Sequence, residues 1–120
     1  MSSKNVIKIR LMIRNFSEES LTDILKKMKK LLGEKYYNVK IDCNYTKKYW
    51  KIPELRECIC VLHFHTNVDI KDITELIANT DFFYEESSSD YDLDEEVVWD
   101  IHTHGGKFLS ENIEWVHVYR

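Results

Sequence analysis

Four of the five histidines stand in two His-x-His pairs, His63-Phe64-His65 and His102-Thr103-His104. Residues i and i+2 of a strand share a face, so each pair can aim two imidazoles at one metal ion. A tetrahedral zinc needs three or four ligands, with Asp100 or His117 as possible additions, and one pair alone leaves the ion under-coordinated. The spacing permits a metal site without specifying one, so no metal is expected and the histidines read as structural. Cys43, Cys58 and Cys60 are odd in number and lack a second close Cys or His pair, so neither a disulfide framework nor a thiolate zinc site is expected. They read as small buried hydrophobes in a reducing compartment. No Gly-rich phosphate loop precedes a helix, and neither a nucleophile elbow nor a Cys-His pairing supported by spacing is present, so no catalytic residue and no cofactor is assigned.

Charge offers a different chemistry. Residues 1–60 carry 14 Lys or Arg against 7 Asp or Glu, and residues 61–120 carry 3 against 14, so a net charge of −4 conceals halves of +7 and −11. Within 81–100 stand nine acids and no base: Asp81, Glu85, Glu86, Asp90, Asp92, Asp94, Glu95, Glu96 and Asp100. Such density is self-repelling, which marks either a solvated loop or a surface meant for a cationic partner. Phe82, Phe83, Tyr84, Tyr91 and Trp99 are interleaved with these acids, and large aromatics beside charge are what interface hot spots use. The expected contact set is Tyr84, Glu85, Glu86, Asp90, Tyr91, Asp92, Asp94, Glu95, Glu96 and Trp99.

The elements that must hold this surface follow from periodicity. Residues 6–14 place Ile7, Ile9, Leu11 and Ile13 on one face and Lys8, Arg10 and Arg14 on the other, a strand with one wet side. Ser17 is a fitting N-cap, with Phe16 and Leu21 at staple positions, for a helix whose stripe is Leu21, Ile24, Leu25, Met28, Leu31 and Leu32 and which Gly33 can close. Residues 36–50 alternate as a second strand before Pro53, and Leu55 to His65, apolar on both faces, reads as the covered middle of the sheet. Asp69 can cap a shorter helix with Ile70, Ile73, Leu76 and Ile77 buried, ending by Asn79. Residues 82–86, 97–103 and 113–119 read as three more strands, the last two a pair flanking Gly105-Gly106. The order βαββαβββ predicts an α+β two-layer sandwich, two helices on one face of a mainly antiparallel sheet with a ferredoxin-like start.

A chain of 120 residues, 43% apolar and 32% charged, fits one globular domain spanning 1–120. It contains no apolar run of membrane-spanning length and its start lacks a signal peptide's apolar stretch, so no membrane partner and a cytoplasmic location are expected. An RNA-recognition module of the same initial order needs exposed aromatics on its two central strands. Ile7–Ile13 has none and Leu55–His65 offers only Phe64, so no direct nucleic-acid contact is expected, and Lys26, Lys27, Lys29 and Lys30 read as the wet face of the first helix.

Two resemblances follow. His102-Thr103-His104-Gly105-Gly106-Lys107-Phe108-Leu109-Ser110 resembles the His-x-His…Ser element of JAMM-type metalloproteases, which would make His102 and His104 zinc ligands of a hydrolase. It departs at Gly105, where that family has proline, and at Ile113, where its aspartate ligand would fall. The chain as a whole, small, motif-poor and α+β with a concentrated acidic-aromatic segment, resembles immunity proteins of bacterial polymorphic toxin and contact-dependent growth inhibition systems. That resemblance implies a cognate toxin as partner, a basic nuclease domain being the expected class, with the acids standing in for phosphate. A generic adaptor binding another basic protein would use the same surface.

Overall fold

The computed structural model describes residues 5–48, 50–52, 54–77, 83–85, 96–100, 109 and 112–119. In β1 (Val6–Arg14), Ile7, Ile9, Leu11 and Ile13 are wholly buried while Lys8 and Arg14 stay exposed, so the alternation in the sequence becomes the two faces of a strand. Each such isoleucine contributes about 1.5–3 kcal/mol over an exposed one. The buried row meets Ile24, Met28 and Leu32 of α1 (Glu18–Gly33) and Ile70, Ile73 and Ile77 of α2 (Ile70–Ile77) in one apolar core.

The start of α1 is fixed as its residues demand. The Ser20 amide donates to Ser17 Oγ and the Ser17 amide to Ser20 Oγ, both at 3.0 Å, a reciprocal cap with serine where glutamate is commoner. The other end differs from expectation. Gly33 is the last helical residue rather than a left-handed stop, and Glu34 caps in a right-handed conformation. The amides of Lys35 and Tyr36 both reach the Leu32 carbonyl, which turns the chain without needing glycine's freedom. The left-handed residue comes later, at Asn38 with φ 53°. The second strand therefore starts at Lys40 instead of the expected 36.

β2 (Lys40–Lys48), β3 (Leu55–His63), β4 (Phe83–Glu85), β5 (Glu96–Asp100) and β6 (Ile113–Tyr119) complete the expected order βαββαβββ. The strands form one six-stranded sheet in the order β2-β3-β1-β6-β5-β4, every neighbouring pair antiparallel. The α+β two-layer reading stands. The expected position of β3 does not: it lies next to the edge strand β2, and the centre of the sheet is β1 with β6. The apolar residues on β3's second face, Ile59 and Val61, are half-buried there rather than covered by a layer. The ferredoxin-like start holds through β3, after which β4 goes to the far edge and β6 returns beside β1.

Two register shifts shape the sheet. Between Asp42 and Tyr45, β2 carries one residue more than β3 opposite Cys60, and Cys43 comes to hydrogen-bond Cys60. Between Met12 and Ile13, β6 carries Glu114 as its extra residue, and the Arg14 amide donates to the Asn112 carbonyl at 2.7 Å. No helix among the described residues is long and apolar enough to cross a membrane.

Candidate functional site

With both helices packed on the row of Ile7, Ile9, Leu11 and Ile13, the opposite face of the sheet carries the chemistry. Its middle is β6, where alternation puts Trp115, His117 and Tyr119 on one side, all half-buried. The rings form a ladder: His117 stacks on Tyr119 at 4.6 Å between centres and meets Trp115 edge-on at 5.7 Å. From the adjoining strand, the Arg10 guanidinium lies 5.4 Å from the centre of the Trp115 ring.

Arg10 is held in turn by Glu57 on β3. Its Nε donates to Glu57 Oε2 at 2.5 Å, and its Nη2 donates to the same oxygen. Glu57 is 5% exposed, and its carboxylate is one a sheet face tolerates only with such a partner. Burial raises the Tyr119 phenol above its ordinary value, Arg10 opposing and Glu57 adding to the effect. Nearer the edge, His63 Nε2 lies 3.6 Å from Asp42, and on the exposed rim Arg14 reaches Glu114 at 3.5 Å.

Register carries this face outward to the acidic hairpin. Glu85 on β4 stands opposite Glu96 on β5, Glu96 opposite Tyr119, and Tyr119 opposite Lys8. A second row runs Phe83, Val98, His117, Arg10 and Ile59, and a third joins Asp100, Trp115, Met12 and Glu57. The halves of opposite charge in the sequence thus become opposite ends of one sheet: β2, with exposed Lys40, Lys47 and Lys48, closes one edge and β4 closes the other.

Of the expected contact residues, Glu85 and Glu96 fall in this face's rows, whereas Tyr84 and Trp99 are in register with Val97 and Val116, in the rows of Ile9 and Leu11. Glu86, Asp90, Tyr91, Asp92, Asp94 and Glu95 lie outside the described residues, as do His102 and His104. From the segment that resembles the metalloprotease element only Leu109 is described. It is buried with φ 58°, and Lys27 Nζ of α1 donates to its carbonyl at 3.3 Å. In the first histidine pair, His63 is half-exposed beside Asp42, while exposed His65 lies 6.1 Å from the ring of Tyr37. Among the described residues no three His, Cys, Asp or Glu side chains gather to hold a metal.

The aromatic ladder was not among the expected site residues. Its signal is the run of rings at 115, 117 and 119, on a strand that local alternation alone does not mark as central. The central strands are β1 and β6, and Phe64 is a core residue, 4% exposed and edge-on to Tyr36 at 5.1 Å. Also unforeseen are Trp50, 75% exposed with Lys51 Nζ 5.1 Å from its ring centre, and Ile52, 46% exposed, both between β2 and β3. No family model, curated protein or solved structure matches the chain.

Proposed function

We propose that this chain is a binding protein of the immunity type, which acts by occupying a basic surface of a partner protein, a toxin nuclease domain being the expected class, and not by turning over a substrate. The observation that supports this most directly is the register of Glu85 with Glu96, two acidic residues at directly opposite positions of the outermost strand pair of the sheet. Like charges facing each other across an antiparallel pair cost about 0.2–1 kcal/mol. A cationic partner relieves that cost and gains charge steering, and the basic cleft that a nuclease needs for its own substrate supplies the cations. The neighbouring ladder of Trp115, His117 and Tyr119 offers the large rigid rings that anchor such a contact once charge has guided it.

A ladder of this kind also suits stacking of nucleic-acid bases. Glu96 and Asp100 hold the register positions opposite Tyr119 and Trp115, so the strand beside the ladder is acidic in sequence, which disfavours a phosphate backbone. The ladder is therefore assigned to protein contact.

The test is the association rate with the candidate nuclease domain, followed across ionic strength for the natural chain and for Glu85→Gln with Glu96→Gln. The on-rate should fall at least about tenfold between low and high salt. The double variant should bind more slowly while melting at the same or a higher temperature. A salt-independent on-rate, or unchanged binding by the double variant, removes the acidic hairpin from the interface.

A further inference from the structure

A shallow groove of about 180 Å³ lies between α1 and β2, lined by Thr22, Leu25, Lys26, Lys29 and Ile41. Its floor is the half-buried pair Leu25 and Ile41, and its rim carries the exposed ammonium groups of Lys26 and Lys29. Beside it runs β2, the end strand of the sheet, with Lys40, Lys47 and Lys48 exposed. An apolar floor under two cations fits an acidic segment that also brings an apolar or aromatic group. The opposite edge of this same chain has that composition: β4 reads Phe83-Tyr84-Glu85, with Glu96 opposite Glu85.

The geometry permits the two edges to meet. Across six alternating antiparallel strands, β2 and β4 run in opposite directions. A copy shifted sideways without rotation therefore brings its β4 antiparallel to β2 of the next, with the helices of both on the same side. Tyr84 is in register with Val97, Val118 and Ile9, the rows on the helix side of the sheet, which is the side where the groove opens. Lysines on an edge strand repel a second copy of that edge, but they attract an acidic one.

We propose that the basic edge, β2 with the α1 groove, docks the acidic β4–β5 edge of a second copy of this chain, head to tail. Such a contact uses two different patches and does not close on itself, so every assembly retains one free edge of each sign and association grows with concentration rather than stopping at a pair. It occupies the acidic edge that a basic partner would need, so partner binding and self-association compete.

Sedimentation velocity on the full chain tests this. Concentration-dependent growth is expected at about 0.05 M salt and at least about tenfold weaker association at about 0.5 M, since screening shortens the reach of these exposed charges. Lys26→Glu with Lys29→Glu should abolish the growth without lowering the melting temperature, both side chains being exposed. Glu85→Lys with Glu96→Lys should abolish it as well, and mixing the two double variants should restore association. The first variant keeps its acidic edge, so its capture of a basic partner protein should be undiminished, which separates this contact from the one proposed above. A chain that stays monomeric at low salt, a dimer that survives Lys26→Glu with Lys29→Glu, or a mixture that fails to associate overturns the proposal.

Discussion

Replacing Arg10 with Leu exposes what the open face of the sheet owes to a single cation. Both the Nε and Nη2 of Arg10 are committed to one oxygen of Glu57, whose side chain is 7% exposed against 33% for Arg10. Removing one member of a fully buried ion pair costs about 3–5 kcal/mol, because the remaining charge has neither water nor partner. Here the arginine side reaches solvent, so water can approach the vacated position and about 2 kcal/mol is the appropriate share. Loss of the guanidinium over Trp115 adds about 0.5 kcal/mol at a partly exposed site. The total of about 2.5 kcal/mol corresponds to a melting temperature lowered by about 10 °C in a domain of this size. Glu57→Gln should cost less, since Arg10 can turn to water. Arg10→Leu with Glu57→Leu should return to within about 1 kcal/mol of the natural chain, because no uncompensated charge remains. Urea titrations of the natural chain, both single variants and the double variant give the coupling energy directly. An Arg10→Leu chain melting within about 2 °C of the natural one, or a double variant as unstable as the two singles added together, would refute the reasoning.

Burial, with smaller contributions from neighbouring groups, pushes the Cys58 thiol from its ordinary 9.0 up to about 12. The Cys60 thiol is raised as well, first by its hydrogen bond with Cys43 and then by burial. The unfolded chain releases these protons above about pH 9 while the folded chain retains them, so stability should fall as pH climbs from about 9 toward 12, by up to about 1.4 kcal/mol per unit and thiol. Urea midpoints across that window should decline less steeply for Cys58→Ala, and an identical slope would contradict the assignment. At the head of α1, Ser17→Ala removes the acceptor for the Ser20 amide and should cost about 1 kcal/mol in thermal unfolding, with Ser17→Asp restoring most of it.

The legible parts of this fold were those decided by neighbours in sequence. The strand at 6–14 declares its two faces through Ile7, Ile9, Leu11 and Ile13 against Lys8, Arg10 and Arg14, and Ser17 declares the helix start because the bonds that cap it span three residues. The helix end is not legible because Gly33 permits a left-handed turn without requiring one, and the Leu32 carbonyl takes the amides of the residues that follow instead. Strand order was not legible for a different reason. Ile59 and Val61 make β3 look covered on both faces, yet half-burial beside Arg10, Lys8 and Asp42 leaves the same apolar pattern as a central position. Which strand sits beside β1 is decided by pairing across some hundred residues, as in Leu11 with Val116, and local alternation does not encode it. The candidate site inherited that error: Trp115, His117 and Tyr119 alternate visibly, but their value depends on β6 being central. The acids of the hairpin were legible as composition, and the facing of Glu85 and Glu96 became visible only with the register.

The position of β6 also dictates how the molecule can assemble in time. This strand follows every other strand along the chain yet lies between β1 and β5, so the sheet exists only as two separate pieces until residues 113–119 arrive. The first piece, β2-β3-β1 with α1, is complete within residues 6–63 and can collapse early; the second, the β4–β5 pair, has no other strand to rest on. Joining them closes a loop of about a hundred residues, the kind of distant contact that slows folding. Until then, the β1 edge that will receive β6 stands open, flanked by the wholly buried Ile9 and Leu11, and a nascent chain halted at that stage presents its most adhesive strand to whatever is nearby.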